Sequence, residues 1–152
     1  MAKKYYSQIL ANKNLIRERP DIYALVLDNY ANTLYLSKQY DELPELYFKA
    51  LKISDSVEFR GYNSIIINQH LAEYYNDFGE KERAKYYGYT AKTISEKYHN
   101  DDLLKSLLLL SNIEAGDAAA NHLKEYIKLN DSLKKNERII RNNFERIRLE
   151  TS

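Results

Sequence analysis

Asn29-Tyr-Ala-Asn-Thr-Leu-Tyr35 is answered, 41 residues later, by His70-Leu-Ala-Glu-Tyr-Tyr-Asn76. The same step carries Tyr40-Asp-Glu-Leu-Pro-Glu-Leu-Tyr-Phe-Lys-Ala50 onto Lys81-Glu-Arg-Ala-Lys-Tyr-Tyr-Gly-Tyr-Thr-Ala91. Taken backwards from Leu43, Tyr47 and Ala50, it lands on Ala2, Tyr6 and Ile9. Self-similarity at a fixed period decides an architecture before any local propensity does. On this reading the chain opens on the second helix of a hairpin.

The apolar residues inside each unit recur at helical intervals. Tyr23, Val26, Leu27, Tyr30, Ala31 and Leu34 step by three and four, as do Ile67, Leu71, Tyr74, Tyr75 and Phe78, and again Ala84, Tyr87, Ala91, Ile94 and Tyr98. Such steps place one stripe on one face of a helix. Ala31, Ala72 and Ala84 supply small side chains where two helices of a hairpin approach closely. Pro20 suits a helix start, Asp41 a cap, Pro44 a first helical turn, and Gly79 and Gly116-Asp117 the turns between helices.

These positions resemble the tetratricopeptide repeat. Leu27, Tyr30, Ala31 and Leu34 take its first-helix places, and Leu43, Tyr47 and Ala50 its second-helix places. The next unit offers Asn68, Leu71, Ala72, Tyr75, Gly79, Ala84 and Ala91, with Gly88 where an aromatic is usual. A poorer third unit runs Leu103, Ser106, Leu107, Leu110, Ala119, Leu123 and Tyr126. That repeat has a period of about 34 residues, and the surplus here is close to two helical turns. Two added turns lengthen helices without rotating their buried face. The resemblance implies an all-α solenoid of antiparallel hairpins, about seven helices in all. It assigns residues 1–130 to the repeat array and 131–152 to a C-terminal helical extension.

Composition agrees with a helical domain. The 152 residues are 44% hydrophobic and hold only 4 Gly and 2 Pro, little material for the turns of an all-β fold. Net charge is +1, so no global basic field favours nucleic acid. The absence of Cys excludes disulfides, thiol nucleophiles and zinc–thiolate sites while leaving the compartment open. No stretch is apolar and long enough for a signal peptide or a membrane span. Most of the 15 Tyr are explained by the stripes, where Tyr23, Tyr30, Tyr47, Tyr74, Tyr75, Tyr87, Tyr98 and Tyr126 fill gaps between hairpins.

Catalytic chemistry finds no foothold. His99 follows Glu96 at the spacing used by di-iron bundles, but such a site needs a second pair and two more Glu. His70 shares a helix face with Glu73 and has no third ligand, and no Gly-rich phosphate loop occurs. The chain reads as having no catalytic residues, no metal site and no cofactor.

Protein or peptide is therefore the expected partner. The stripe beside the buried one runs Leu25, Asp28, Asn32, Tyr35, then Ile66, Gln69, Glu73, Asn76, then Leu104, Leu108, Ser111. Some tetratricopeptide domains hold a peptide carboxylate with Lys, Arg and Asn in this groove. Asn32 matches that clamp and Lys105 lies near a basic place, but Asp28 and Asp101 stand where cations belong and His70 replaces an Asn. A groove of Asp28, Asn32, Tyr35, Gln69, Glu73, Asn76 and Lys105 suits a neutral or basic extended segment instead; the alternative is an ordinary wet surface.

From Lys124 the pattern changes. Tyr126, Leu133, Ile140 and Ile147 recur every seven residues, with Asn136 and Asn143 at the other seam places. Leu133, Ile140, Phe144 and Ile147 form a candidate self-association surface for a weak homodimer. The runs Tyr126–Leu133 and Arg141–Thr151 look like bacterial proteins in which such repeats precede a long helix, a membrane span and a helix-turn-helix or histidine-kinase output. The resemblance implies the sensory part of a signalling protein and favours the outer side of a membrane over the cytoplasm without fixing the compartment; a cytoplasmic peptide-responsive regulator and a plain scaffold are the alternatives.

Overall fold

The computed structural model describes residues 2–56, 61–98 and 101–151, and these form helices and turns. The helices are α1 (Ala2–Leu10), α2 (Lys13–Glu18), α3 (Pro20–Leu36), α4 (Glu45–Ser56), α5 (Tyr62–Asp77), α6 (Lys81–Ser95), α7 (Asp101–Ile113) and α8 (Gly116–Thr151). The protein is all-α. Among the described residues eight helices stand where about seven were expected, and the extra one is α2. Asn12 caps α2 by accepting from the Asn14 amide at 3.1 Å, and no residue of the helix is buried. Among the described residues no helix is long and apolar enough to cross a membrane.

α1 and α2 both pack on α3, each later helix packs on the next in the chain, and α3, α5 and α7 also touch one another in succession. The pairs α3–α4, α5–α6 and α7–α8 are the closely packed hairpins. Burial repeats with the 41-residue step. In the first helices Leu27 and Asn68, Tyr30 and Leu71, Ala31 and Ala72, and Leu34 and Tyr75 are all buried. At the entry to the second helices and within them the same holds for Leu43 and Ala84, Tyr47 and Gly88, Ala50 and Ala91, and Ser54 and Ser95. Side-chain size trades between equivalent places. Gly88 stands where α4 has Tyr47 because Leu110 of α7 has come in: a Cβ on Gly88 would lie 2.8 Å from Leu110 Cδ2.

The helix ends repeat as well. After α5, Gly79 takes φ 76°, with Gly79 N donating to Asn76 O at 3.1 Å and Glu80 N to Tyr75 O at 2.9 Å. After α3, Lys38 takes φ 60°, with Lys38 N donating to Tyr35 O at 3.0 Å and Gln39 N to Leu34 O at 2.8 Å. Both are Schellman closures, which place one residue in the left-handed region. Pro20 opens α3, as its lack of an N–H allows. Asp41 and Pro44 do not take their expected places, since both precede the first residue of α4, Glu45.

The expected face of the last helix is corrected. In α8 it is His122 that is buried, whereas Leu123 is 43% exposed and Ala119 and Tyr126 are half-buried. The hairpin face is therefore turned by about one residue, because Glu114 holds His122 inward. α8 runs unbroken through residue 130 into the C-terminal extension. Tyr98, at the end of its stripe, is 42% exposed.

Candidate functional site

The first helices form a common face, and its seam is polar and regular. Asn63 Nδ2 donates to Asp21 O at 2.9 Å, His70 Nδ1 lies 2.9 Å from Asp28 Oδ1, and the Tyr35 hydroxyl donates to the Asp77 carboxylate. Each pair spans 42 residues, and successive pairs lie seven residues apart along both helices. Seven residues is about two turns, so three bonds in line fasten α3 to α5. The link from α5 to α7 is Gln69, whose Nε2 donates to Asp102 O at 3.1 Å and to Ser106 Oγ at 3.0 Å.

This seam corrects two of the expected groove residues. Asp28 and Gln69 are fully buried, not groove-lining. Both occupy the same place in their units and reach forward to the next first helix, so their polarity serves the joint between units. Each keeps one oxygen, Asp28 Oδ2 and Gln69 Oε1, buried with no hydrogen-bond partner among the described residues. Asn32 is half-buried and accepts from the Tyr47 hydroxyl at 3.3 Å. Burial, followed by the nearby Asp28 and Glu73 carboxylates, pushes the Tyr47 phenol well above the ordinary tyrosine range.

The other four expected residues converge. Tyr35, Glu73, Asn76 and Lys105 line one cleft of about 390 Å3 across α3, α5 and α7, together with Asp77, Leu108, Leu109 and Asn112. No ion pair joins Glu73 to Lys105 among the described residues. The cleft therefore presents two carboxylates, one of them already accepting the Tyr35 hydroxyl, an ammonium, two carboxamides able to donate and accept, and two leucines. Asp77 and Asn112 were not singled out from the sequence; Asp77 was legible as the residue 42 beyond Tyr35. Asp101 lies at the exposed start of α7, outside this cleft.

On the second-helix side a recess of about 450 Å3 is lined by Phe48, Tyr75, Glu82, Arg83, Tyr86 and Tyr87. Tyr75 and Tyr87 stack at 5.7 Å, and the Arg83 guanidinium lies 5.4 Å from the Tyr75 ring centre. The recess thus already holds a cation on its aromatic face.

A third cluster ties the last hairpin. Tyr89 of α6 donates to Glu114 Oε2 at 2.5 Å, and His122 Nε2 lies 2.9 Å from the same oxygen. Because a carboxylate only accepts, Nε2 carries the hydrogen. The Tyr89 bond first, then His122 and Lys85, hold the Glu114 carboxyl below the usual range. Burial and Glu114 push the Tyr89 phenol up to about 12. His99 lies outside the described residues, and among those described no three His, Asp or Glu side chains gather to hold a metal ion.

No family model, no curated protein and no solved structure matches this chain.

Proposed function

We propose that the chain is a non-catalytic, protein- or peptide-binding helical-repeat module of the tetratricopeptide kind, and that it holds its ligand in the cleft across α3, α5 and α7. The observation that carries this reading is the agreement of burial at a 41-residue step in both helices of successive hairpins. Contacts running from α3 to α5 to α7, and from each second helix to the next first helix, support a stacked array. An array of this sort leaves the first-helix face open along its length. The cleft's chemistry suits an extended segment: Asn76 and Asn112 for peptide groups, Glu73 for a basic side chain, Leu108 and Leu109 for an apolar one. The Tyr-rich interior is structural on this reading. A place in a larger signalling protein, with the cleft as its sensing surface, goes with the same proposal.

Selection from a displayed peptide library, followed by fluorescence anisotropy with the selected peptides, tests the reading. Glu73→Ala with Asn76→Ala should weaken binding by roughly tenfold or more, about 1.4 kcal/mol. Tyr86→Ala, on the second-helix face, should leave it unchanged. Peptides that ignore the cleft variants and are lost on Tyr86→Ala would move docking to the aromatic recess and overturn the assignment.

A further inference from the structure

The hairpin α7–α8 is unequal. α7 has 13 residues and α8 has 36, and from Lys134 to Thr151 every residue of α8 is exposed. At about 100° per residue, Ala119, His122, Tyr126, Leu129 and Leu133 share the face that α8 turns toward the body. Ile140, Phe144 and Ile147 lie on the same face, one and two further sets of turns along. They are 67%, 72% and 54% exposed. The packed interface of the last hairpin thus continues, in phase, beyond the helix that covers it.

We propose that this overhang pairs in parallel with the overhang of a second copy of the chain, with Ile140 and Ile147 at the a places of a heptad whose first a place, Leu133, is half-buried where the overhang leaves the body. Three features of the sequence on this helix select that occupant and that direction. Asn136, Asn143 and Glu150 then fall at the d places. In a parallel pair each Asn meets its own counterpart and the two carboxamides bond to each other. In an antiparallel pair a places face d places, and each Asn would be set against Leu or Ile with no partner.

The flanking places agree. Positions e and g normally carry charge, yet here Ile139 is a g residue and Phe144 an e residue. They are five residues apart, the interval at which g of one strand meets e of the other in a parallel pair. Ile139 therefore packs on Phe144 of the second copy, twice by symmetry. Reversal would put Phe144 beside Glu137 and Ile139 beside Arg146.

The charges agree as well. Lys134, Lys135, Arg138, Arg141 and Arg148 all fall at b, c or f, facing water. Arg146 lies 3.9 Å from Glu150 of its own helix. Self-pairing therefore sets no cation against a cation, and its one like-charge pair, Glu150 on Glu150 at the last d place, is offset by Arg146 of each helix. An apolar stripe of this kind marks a partner surface, and with only three a layers the dimer is a weak one.

The chain contains no cysteine, so single cysteines report the pairing cleanly. Leu133→Cys and Ile147→Cys are oxidised separately at high concentration, with Lys135→Cys as the outward-facing control. The expected result is a covalent dimer from each of the first two and none from the control. The unsubstituted chain should show concentration-dependent dimerisation by sedimentation equilibrium. Ile140→Asp with Phe144→Asp should return it to monomer with its helical circular dichroism intact. Cross-linking only in a mixture of Leu133→Cys and Ile147→Cys chains means an antiparallel pair and overturns the register. A monomer at every concentration, with no cross-link, overturns self-pairing and gives the stripe to a different partner.

Discussion

Asp28 of α3 and His70 of α5 meet at 2.9 Å across a joint between units, with the aspartate wholly buried and the histidine nearly so. A carboxylate in such a place is retained only when donors reach it. Among the described residues His70 is the one side chain that supplies a hydrogen bond to it. Replacing His70 by Ala leaves a buried carboxylate unsatisfied, which should destabilise by about 3 kcal/mol. Asp28→Leu with His70→Leu removes both polar groups and should cost much less. Urea unfolding of the two variants decides it. Equal loss in both would mean that the pair contributes packing and not hydrogen bonding.

Lys38 occupies the left-handed place that Gly79 fills one repeat later. A residue with a Cβ carries a strain there of about 1 kcal/mol that glycine does not. Lys38→Gly should therefore raise stability by up to about 1 kcal/mol, against the usual destabilising effect of added glycine. Thermal melting of the variant measures this; a lowered midpoint would show that Lys38 earns its place through contacts of its own.

The repeat made much of this fold readable from the sequence. The first and second helices, the turns at Gly79 and Gly116 and the length of α8 all follow from periodicity and a few punctuating residues. Lys38 was hidden because propensity points only to glycine, although the 41-residue step leads directly to it. α2 was hidden because a six-residue helix with no buried residue writes no stripe.

The groove was half legible for a different reason. Asp28 and Gln69 are polar residues beside an apolar stripe, which reads as solvent-facing surface. Their partners, His70 and Ser106, lie 42 and 37 residues away in sequence. A local pattern carries no sign of such a bond. Glu73 and Asn76 needed no distant partner to be placed, and the helical step alone set them side by side; Tyr35, bonded to Asp77, and Lys105, read from the clamp resemblance, line the same cleft.

Ala72 and Ala84 are fully buried where α5 meets α6. Small side chains suit the approach of the two backbones, and a larger one has to displace its neighbours. Ala72→Phe and Ala84→Phe should each destabilise by about 1–3 kcal/mol through overpacking. Chemical denaturation measures it, and neutral behaviour in both would contradict the hairpin register.

The Tyr89–Glu114–His122 cluster makes a prediction in pH. The Glu114 carboxyl is held low in the folded state, chiefly by the Tyr89 hydroxyl. A depressed carboxyl stabilises the fold above its unfolded pKa, about 4.3, and that contribution is lost as pH falls through the folded value. Tyr89 works in the opposite sense. Its phenol is raised to about 12, against about 10 when unfolded. Its contribution is complete below about pH 10 and is lost as pH rises toward the folded value. Tyr89→Phe removes the phenol and the main cause of the Glu114 shift together. The stability difference between the unsubstituted chain and Tyr89→Phe should therefore be level between about pH 5 and 10 and shrink on both sides. Urea midpoints measured across that range are the test. A difference that stays level into acid would show that Glu114 takes its low value from Lys85 and His122, and that the tyrosine is a spectator.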